Sequence, residues 1–198
     1  MKRAFVAGEA LIDLIDLGGN LSAHVGGGPA NTAKALARLG FPTSFVGGIS
    51  DDEYGSMIEA ELQESGVDLS CIYRSTLPTA LARAVIDESG IAKYEFELER
   101  TATFAFSSSW LPTNSADVLH VGSVATLVEP GSMELFDWVA NSDSVVVFDP
   151  NVRPSIQGNR DIYRTVVEKW ISISDVVKLS EDDLSWLYSE SEDEVVQR

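Results

Sequence analysis

The chain has 198 residues, 44% of them hydrophobic, and a mean hydropathy of +0.03, which is enough apolar chain for one domain with a buried core and excludes disorder over its whole length. A net charge of −17 opposes docking on phosphate backbones or anionic lipid, so the expected partner is a small molecule, with no nucleic acid and no membrane. No run approaches the roughly 20 apolar residues of a membrane span, and a single cysteine, Cys71, cannot form an internal disulfide.

The first stretch, "MKRAFVAGEALIDLIDL", is interrupted by Gly8, Glu9 and Asp13 and does not read as a signal peptide, so the expectation is a cytoplasmic protein. Within it "RAFVAG" and "ALIDLIDL" predict two strands. "HVGGGPANTAKALARLG" then sets three glycines and a proline before a helix. Ala33, Leu36 and Ala37 recur at helical spacing there, and Gly40 with Pro42 supplies the stop. "TSFVGGI" predicts a strand and "EYGSMIEAELQESG" a helix closed by Gly66. Cys71 reads as structural, since its surroundings offer no metal-ligand spacing.

The middle of the chain changes character. "ALARAVID", "ESG" and "AKYEFELE" make a hairpin pattern, which cannot easily sit inside a parallel sheet and is expected to stand out as a second small sheet, paired with "NLSAHV". The crossover pattern resumes with the strand "ADVLHVG", a helix near "GSMELFDWVAN" and the strand "SVVVFDP". A helix around "RDIYRTVVEKWIS", the strand "DVVKLS" and a helix from "EDDLSWLY" follow, with a polar tail, "SESEDEVVQR", expected to fray. Short apolar strands alternating with amphipathic helices require a parallel sheet covered on both faces, so the expected fold is a three-layer α/β/α Rossmann-like sandwich with a small β-sheet appendage.

Ligands of open parallel sheets collect beyond the carboxyl ends of the strands. Four places there carry polar residues. Asp13 interrupts an apolar run, where a carboxylate is either solvated at an edge or hydrogen-bonded. The glycine loop permits two readings, a plain helix entry or a cradle of backbone amides, and it lacks the spacing and the lysine of a P-loop. "FDPNVRP" ends a strand in Asp149, Asn151 and Arg153; capping accounts for the first two and leaves the arginine unexplained. "KLSEDDL" places Lys178 and Ser180 before Glu181, Asp182 and Asp183, acidic residues that a first helical turn accepts in any case.

Taken together these segments resemble the PfkB-type, or ribokinase-like, carbohydrate kinases, and among them most closely the fructokinase branch. "GEALIDLI" is similar to that branch's N-terminal signature, "GGGPANTAKALARLG" to the first family signature and "GGISDDEYG" to the glycine-aspartate motif after it. "FDPNVRPS" and "VVKLSEDDL" match two further blocks in order. The resemblance covers essentially the whole chain. It implies a ribokinase-like domain over 1–198, incomplete at its C-terminal side, with a β lid contributed by about 11–25 and 79–99 that often pairs in a homodimer. The implied reaction is transfer of the γ-phosphoryl group of ATP, with Mg2+, to a sugar hydroxyl.

Carried over by position, Asp13, Gly27, Gly28 and Asn31 would hold sugar hydroxyls, while Asp149, Asn151 and Arg153 would border the phosphate region. Lys178 and Ser180 would lie near the nucleotide, and Asp183 near the hydrated metal. Ser50 stands where the family's motif usually has glycine, and Ser180 and Asp183 replace its more general asparagine and glutamate. The family's second glycine-rich signature, with the aspartate that deprotonates the acceptor, is not found before Arg198, and the 198-residue chain alone is expected to be inactive as a kinase. Two alternatives stand beside fructokinase. A 2-keto-3-deoxygluconate kinase would need an extra cation in the sugar pocket, from Arg100 or Arg83; a non-catalytic sugar-binding fragment would need no phosphoryl transfer at all.

Overall fold

Strands and helices alternate through most of the chain, and the main sheet follows from that alternation. The computed structural model describes residues 2–17, 20–86 and 92–188; the hairpin turn 88–90 and the tail 189–198, expected to fray, lie outside the described residues. Six parallel strands form the main sheet: β1 (Ala4–Ala7), β4 (Thr43–Ser50), β5 (Ile72–Ser75), β8 (Val118–Gly122), β9 (Val145–Asp149) and β10 (Val176–Val177), in the order β10-β9-β8-β1-β4-β5.

Side-chain alternation along these strands splits the core in two. Val6, Phe45 and Ile49 pack with Ala30 and Ala33 of α1 (Gly28–Arg38) and with Ile58 and Leu62 of α2 (Glu53–Glu64). Phe5, Leu119, Val121, Val146 and Phe148 point the other way. They meet Leu135 and Val139 of α3 (Gly131–Ala140), Tyr163, Val167 and Trp170 of α4 (Arg160–Ile171), and Leu187 of α5 (Glu181–Tyr188). The expected three-layer α/β/α sandwich is therefore present. On the α1 side of the sheet Val145 and, across the β9–β10 edge, Val176 are about half exposed, at 48% and 49%.

A second sheet contains β2 (Leu11–Leu17), β3 (Asn20–Gly26), β6 (Leu81–Ile86) and β7 (Ala92–Glu97) in the order β3-β2-β6-β7. Contrary to the expectation from the sequence, the hairpin does not pair with β3: β6 lies parallel to β2, and β3 covers the other edge of β2. Composition explains the inner place of β2: Ile12 and Leu14 are buried, whereas Leu21 of β3 is 60% exposed. The four-residue strand β5 was also not anticipated, because "IYRS" buries only its last residue and shows no alternation.

The second sheet is tied down at its base. Asp52 caps α2, Oδ1 accepting the Gly55 N–H at 2.7 Å and the Thr79 hydroxyl at 2.6 Å, and Oδ2 accepts the Thr79 N–H at 2.8 Å. The returning chain donates Ala102 N–H to the Pro78 carbonyl at 2.9 Å, and a Cβ on Gly48 would meet the Ala102 carbonyl oxygen at 1.9 Å, so this foot sits directly on β4. Lys34 of α1, almost fully buried, pairs with Glu61 of α2 at 2.5 Å and donates to the Val25 carbonyl of β3 at 3.4 Å. Among the described residues no helix is long and apolar enough to cross a membrane.

Candidate functional site

The carboxyl ends of β1, β8 and β9 meet the inner face of the second sheet around a cavity of about 480 Å3, within the usual range for a small-molecule site. Leu11 and Asp13 of β2, Ala82 of β6 and Phe96 of β7 form its roof, and Gly27, Gly28 and Asn31 form a wall. Ser123, Asn151 and Arg153 close it from the strand ends of the main sheet.

Asp13 reaches the cavity because its diagonal neighbour on β3 has no side chain: a Cβ on Gly26 would stand 2.1 Å from its Oδ2. Burial raises its carboxyl above the ordinary aspartate range, and the charges of His24, Arg153 and Lys34 pull it back. Gly27 adopts φ 104°, a left-handed conformation glycine takes without strain, and a Cβ there would strike the Glu9 carbonyl oxygen at 2.5 Å. No side chain caps α1, which starts directly from this loop with Pro29 in its first turn and Asn31 exposed.

At the end of β9, Asp149 Oδ2 pairs with Lys178 Nζ at 3.1 Å and Oδ1 accepts the Asn151 N–H at 3.2 Å. Asn151, at φ 42°, donates Nδ2 to Ser123 Oγ at 3.2 Å. Arg153 donates Nη1 to the Val152 carbonyl at 3.0 Å, and its N–H goes to the Tyr163 hydroxyl at 3.0 Å; burial pushes that phenol up to about 12. A narrow recess beside the main cavity is bordered by His120, Asp149 and Gly28. His120 Nδ1 is buried there with no hydrogen-bond partner among the described residues, and burial lowers its pKa below 6.5.

The sequence-derived residues therefore fall into three groups. Asp13, Gly27, Gly28, Asn31, Asn151 and Arg153 share the cavity, with Asp149 in the recess next to it. Lys178, Ser180 and Asp183 do not line the cavity. Arg100 does not line it either: it lies exposed in the turn after β7 at φ 55°. Arg83, adjacent to the inward Ala82 on β6, points to the opposite face by strand alternation and pairs with Glu97 at 2.8 Å.

Asp183, expected near the hydrated metal, is engaged with backbone amides. It is 6% exposed, and its Oδ1 accepts the Val152 N–H at 2.8 Å while Oδ2 accepts the Ser180 N–H at 3.0 Å. Ser180 Oγ accepts the Asp183 N–H in return, a capping box that binds α5 to the loop after β9. Both carboxylate oxygens face backbone amides, and the described residues contain no group of three or more metal-ligating side chains. They do not fit a direct Mg2+ site.

Sequence reasoning passed over Glu9. Its side chain is only 1% exposed, yet it borders the cavity, with Oε1 accepting the Gly28 N–H at 3.3 Å and Oε2 the Ala125 N–H at 3.0 Å. The available signal was a lone carboxylate between two apolar strands, directly after a glycine. A carboxylate, a carboxamide and bare backbone amides around one cavity suit the hydroxyls of a polyol, and a guanidinium at its rim suits an anion.

Residues 1–198 match the model of the pfkB family carbohydrate kinases. The chain belongs to the PfkB family. A fructokinase of Rhizobium leguminosarum bv. trifolii is 32% identical over 189 residues, 90% of this PfkB chain and 57% of that relative. A fructokinase of Salmonella typhimurium is 30% identical over 196 residues, covering 96% and 64%. Among solved structures, fructokinase with bound ATP from Xylella fastidiosa matches with a TM-score of 0.90 at 30% identity, over 100% of this chain and 65% of that one. Fructokinase from Vibrio cholerae O395 in its fructose-, ADP- and calcium-bound form matches with a TM-score of 0.86 at 28% identity, over 100% and 66%. The PfkB chain thus spans about three-fifths of the length of these curated relatives.

Proposed function

We propose that this PfkB chain carries the sugar-binding part of a kinase that transfers the γ-phosphoryl group of ATP to a hydroxyl of fructose. The observation that carries the reading is the convergence of Asp13, Gly27, Gly28 and Asn31 on one cavity beneath the second sheet. In this reading Asp13 and Asn31 take sugar hydroxyls and the glycine wall lets the ring approach the backbone. The second sheet acts as a lid that excludes water, the competing acceptor. Arg153 faces the region where phosphoryl charge develops. Asp149, Asn151 and Lys178 lie on the nucleotide side, and Asp183 with Ser180 holds the loop that presents them. Mg2+ would enter only as a companion of the ATP phosphates. The lid edges also serve for pairing of two copies.

The positions of Arg83 and Arg100 favour fructose over an acidic sugar, because neither brings its charge to the cavity. Calorimetric titration of fructose into the chain tests the reading. Saturable binding is expected, weakened at least about tenfold by Asp13→Asn, the loss of one charged hydrogen bond. Binding that Asp13→Asn leaves unchanged, or that 2-keto-3-deoxygluconate exceeds, overturns it.

A further inference from the structure

Two carboxylates border the cavity, and the sugar reading uses only Asp13. The second, Glu9, sits at the junction of three strand ends. Its two oxygens hold the N–H of Gly28, in the first turn of α1, and the N–H of Ala125, in the turn that follows β8. The Ser123 hydroxyl and the backbone N–H of Glu9 itself are its further partners. Because Ser123 Oγ already accepts from Asn151 Nδ2, its single proton is left for Glu9. A hydrogen-bond chain therefore runs from Asn151 through Ser123 to Glu9 and meets the glycine loop there. The packing at this junction is close: a Cβ on Gly28 would stand 3.0 Å from Asn151 Nδ2 and 3.1 Å from Ser123 Cβ. Ser123 and Asn151 both hold left-handed backbone, at φ 59° and 42°, which is unfavourable without glycine and is maintained by its surroundings.

We propose that Glu9 is a positioning residue: its ionised carboxylate holds the glycine loop, the exit of β8 and Asn151 in one frame, and a proton on it breaks one arm of that frame and weakens sugar binding. An ionised carboxylate only accepts, which suits a set made up of donors alone; a protonated one must donate through one oxygen and loses a partner. Burial raises the Glu9 carboxyl from 4.5 to about 7, so the change falls near neutral pH. Among the charged and titratable groups on the elements around it are Asp13 on β2, His24 on β3, Lys34 on α1, His120 on β8, Asp149 on β9, Arg153 after it and Tyr163 on α4. Tests in a His24→Gln background remove the exposed imidazole next to Asp13.

The part of the inference that concerns affinity rests on the fructose reading; the frame does not. Nitrogen-15 NMR of the chain between pH 5.5 and 8.5 reads the frame: the Gly28 and Ala125 amides are expected to shift together, with one midpoint near 7, and to stay flat in Glu9→Gln. Fructose affinity is expected to fall about tenfold from pH 8 to pH 5.5, the factor carried by one hydrogen bond, and to lose that dependence in Glu9→Gln. Amides that titrate separately or not at all overturn the proposal, in the chain with Glu9 intact and so without relying on the variant to fold. Unaltered pH dependence of fructose affinity in Glu9→Gln overturns it as well. Paired amide titration without fructose binding at any pH supports the frame and refutes the fructose reading.

Discussion

A missing side chain at Gly26 is what admits the Asp13 carboxylate to the cavity. Gly26→Ala would place a methyl carbon on Oδ2, so the carboxylate must turn away. Fructose affinity by calorimetry is expected to fall about as far as in Asp13→Asn, tenfold or more, with a melting temperature that changes less than for a buried apolar truncation. Glu9 makes the opposite kind of demand. Its folded pKa lies above the ordinary value of 4.5, so its contribution to stability is fully present below pH 4.5 and is lost as pH rises through about 7. The loss amounts to at most about 3 kcal/mol, by the free energy per pK unit. Urea denaturation at pH 5 and pH 8 checks this: the stability difference between the two pH values is expected to shrink in Glu9→Gln, and an equal difference in both proteins refutes it. Ionisation at Glu9 thus sharpens the site while weakening the fold. Asp13 and the glycine loop stand out in the sequence, a carboxylate in an apolar run and three glycines before a helix, whereas the sugar roles of Gly27, Gly28 and Asn31 came only from the family resemblance. Glu9 was not legible, since sequence shows a carboxylate and not its burial, and the capping by Asp183 was not either, because an acid in a first helical turn looks the same whether it caps or ligates.

At the level of elements, the second sheet is tied down at two feet as well as by the packing of Leu11, Ile12, Leu14 and Ala82 into the core. Asp52 gives three hydrogen bonds at the first foot, two of them to Thr79, and these hold its own carboxyl below the usual aspartate value against the effect of burial. Thr79→Val removes one, the hydroxyl bond, and leaves the backbone bond in place. We expect a loss of about 1 kcal/mol and faster hydrogen exchange along β6, read by mass spectrometry, with exchange in β8 and β9 unchanged; uniform acceleration across both sheets refutes a local foot. The crossover strands other than β5 and the five α-helices among the described residues were readable from periodicity, because a buried parallel strand is a nearly continuous apolar run. The partner of the hairpin was not readable. Pairing depends on which strand has the more apolar pair of faces, and Ile12 and Leu14 win that place for β2 through burial on the finished sheet. β5 escaped for a similar reason, as an edge strand needs little apolar pattern of its own.

Across the whole molecule, the α1 side of β9 and β10 leaves Val145 and Val176 half exposed beside a two-residue edge strand. Such an edge invites pairing with another chain, and a net charge of −17 opposes it only while salt is low. Self-association followed by light scattering is therefore expected to rise with sodium chloride and to fall in Val176→Lys, a change that puts a charge on the edge; equal association in both proteins refutes this. The single hydrogen bond from Ala102 to Pro78 has a different consequence. It brings together the points where the chain leaves and rejoins the main sheet, so everything between residues 79 and 101 is an excursion whose two ends already touch. Exchange of that excursion between relatives leaves the spacing of its ends unchanged, so new β6–β7 portions of the roof can be tried without redesigning the main sheet beneath them.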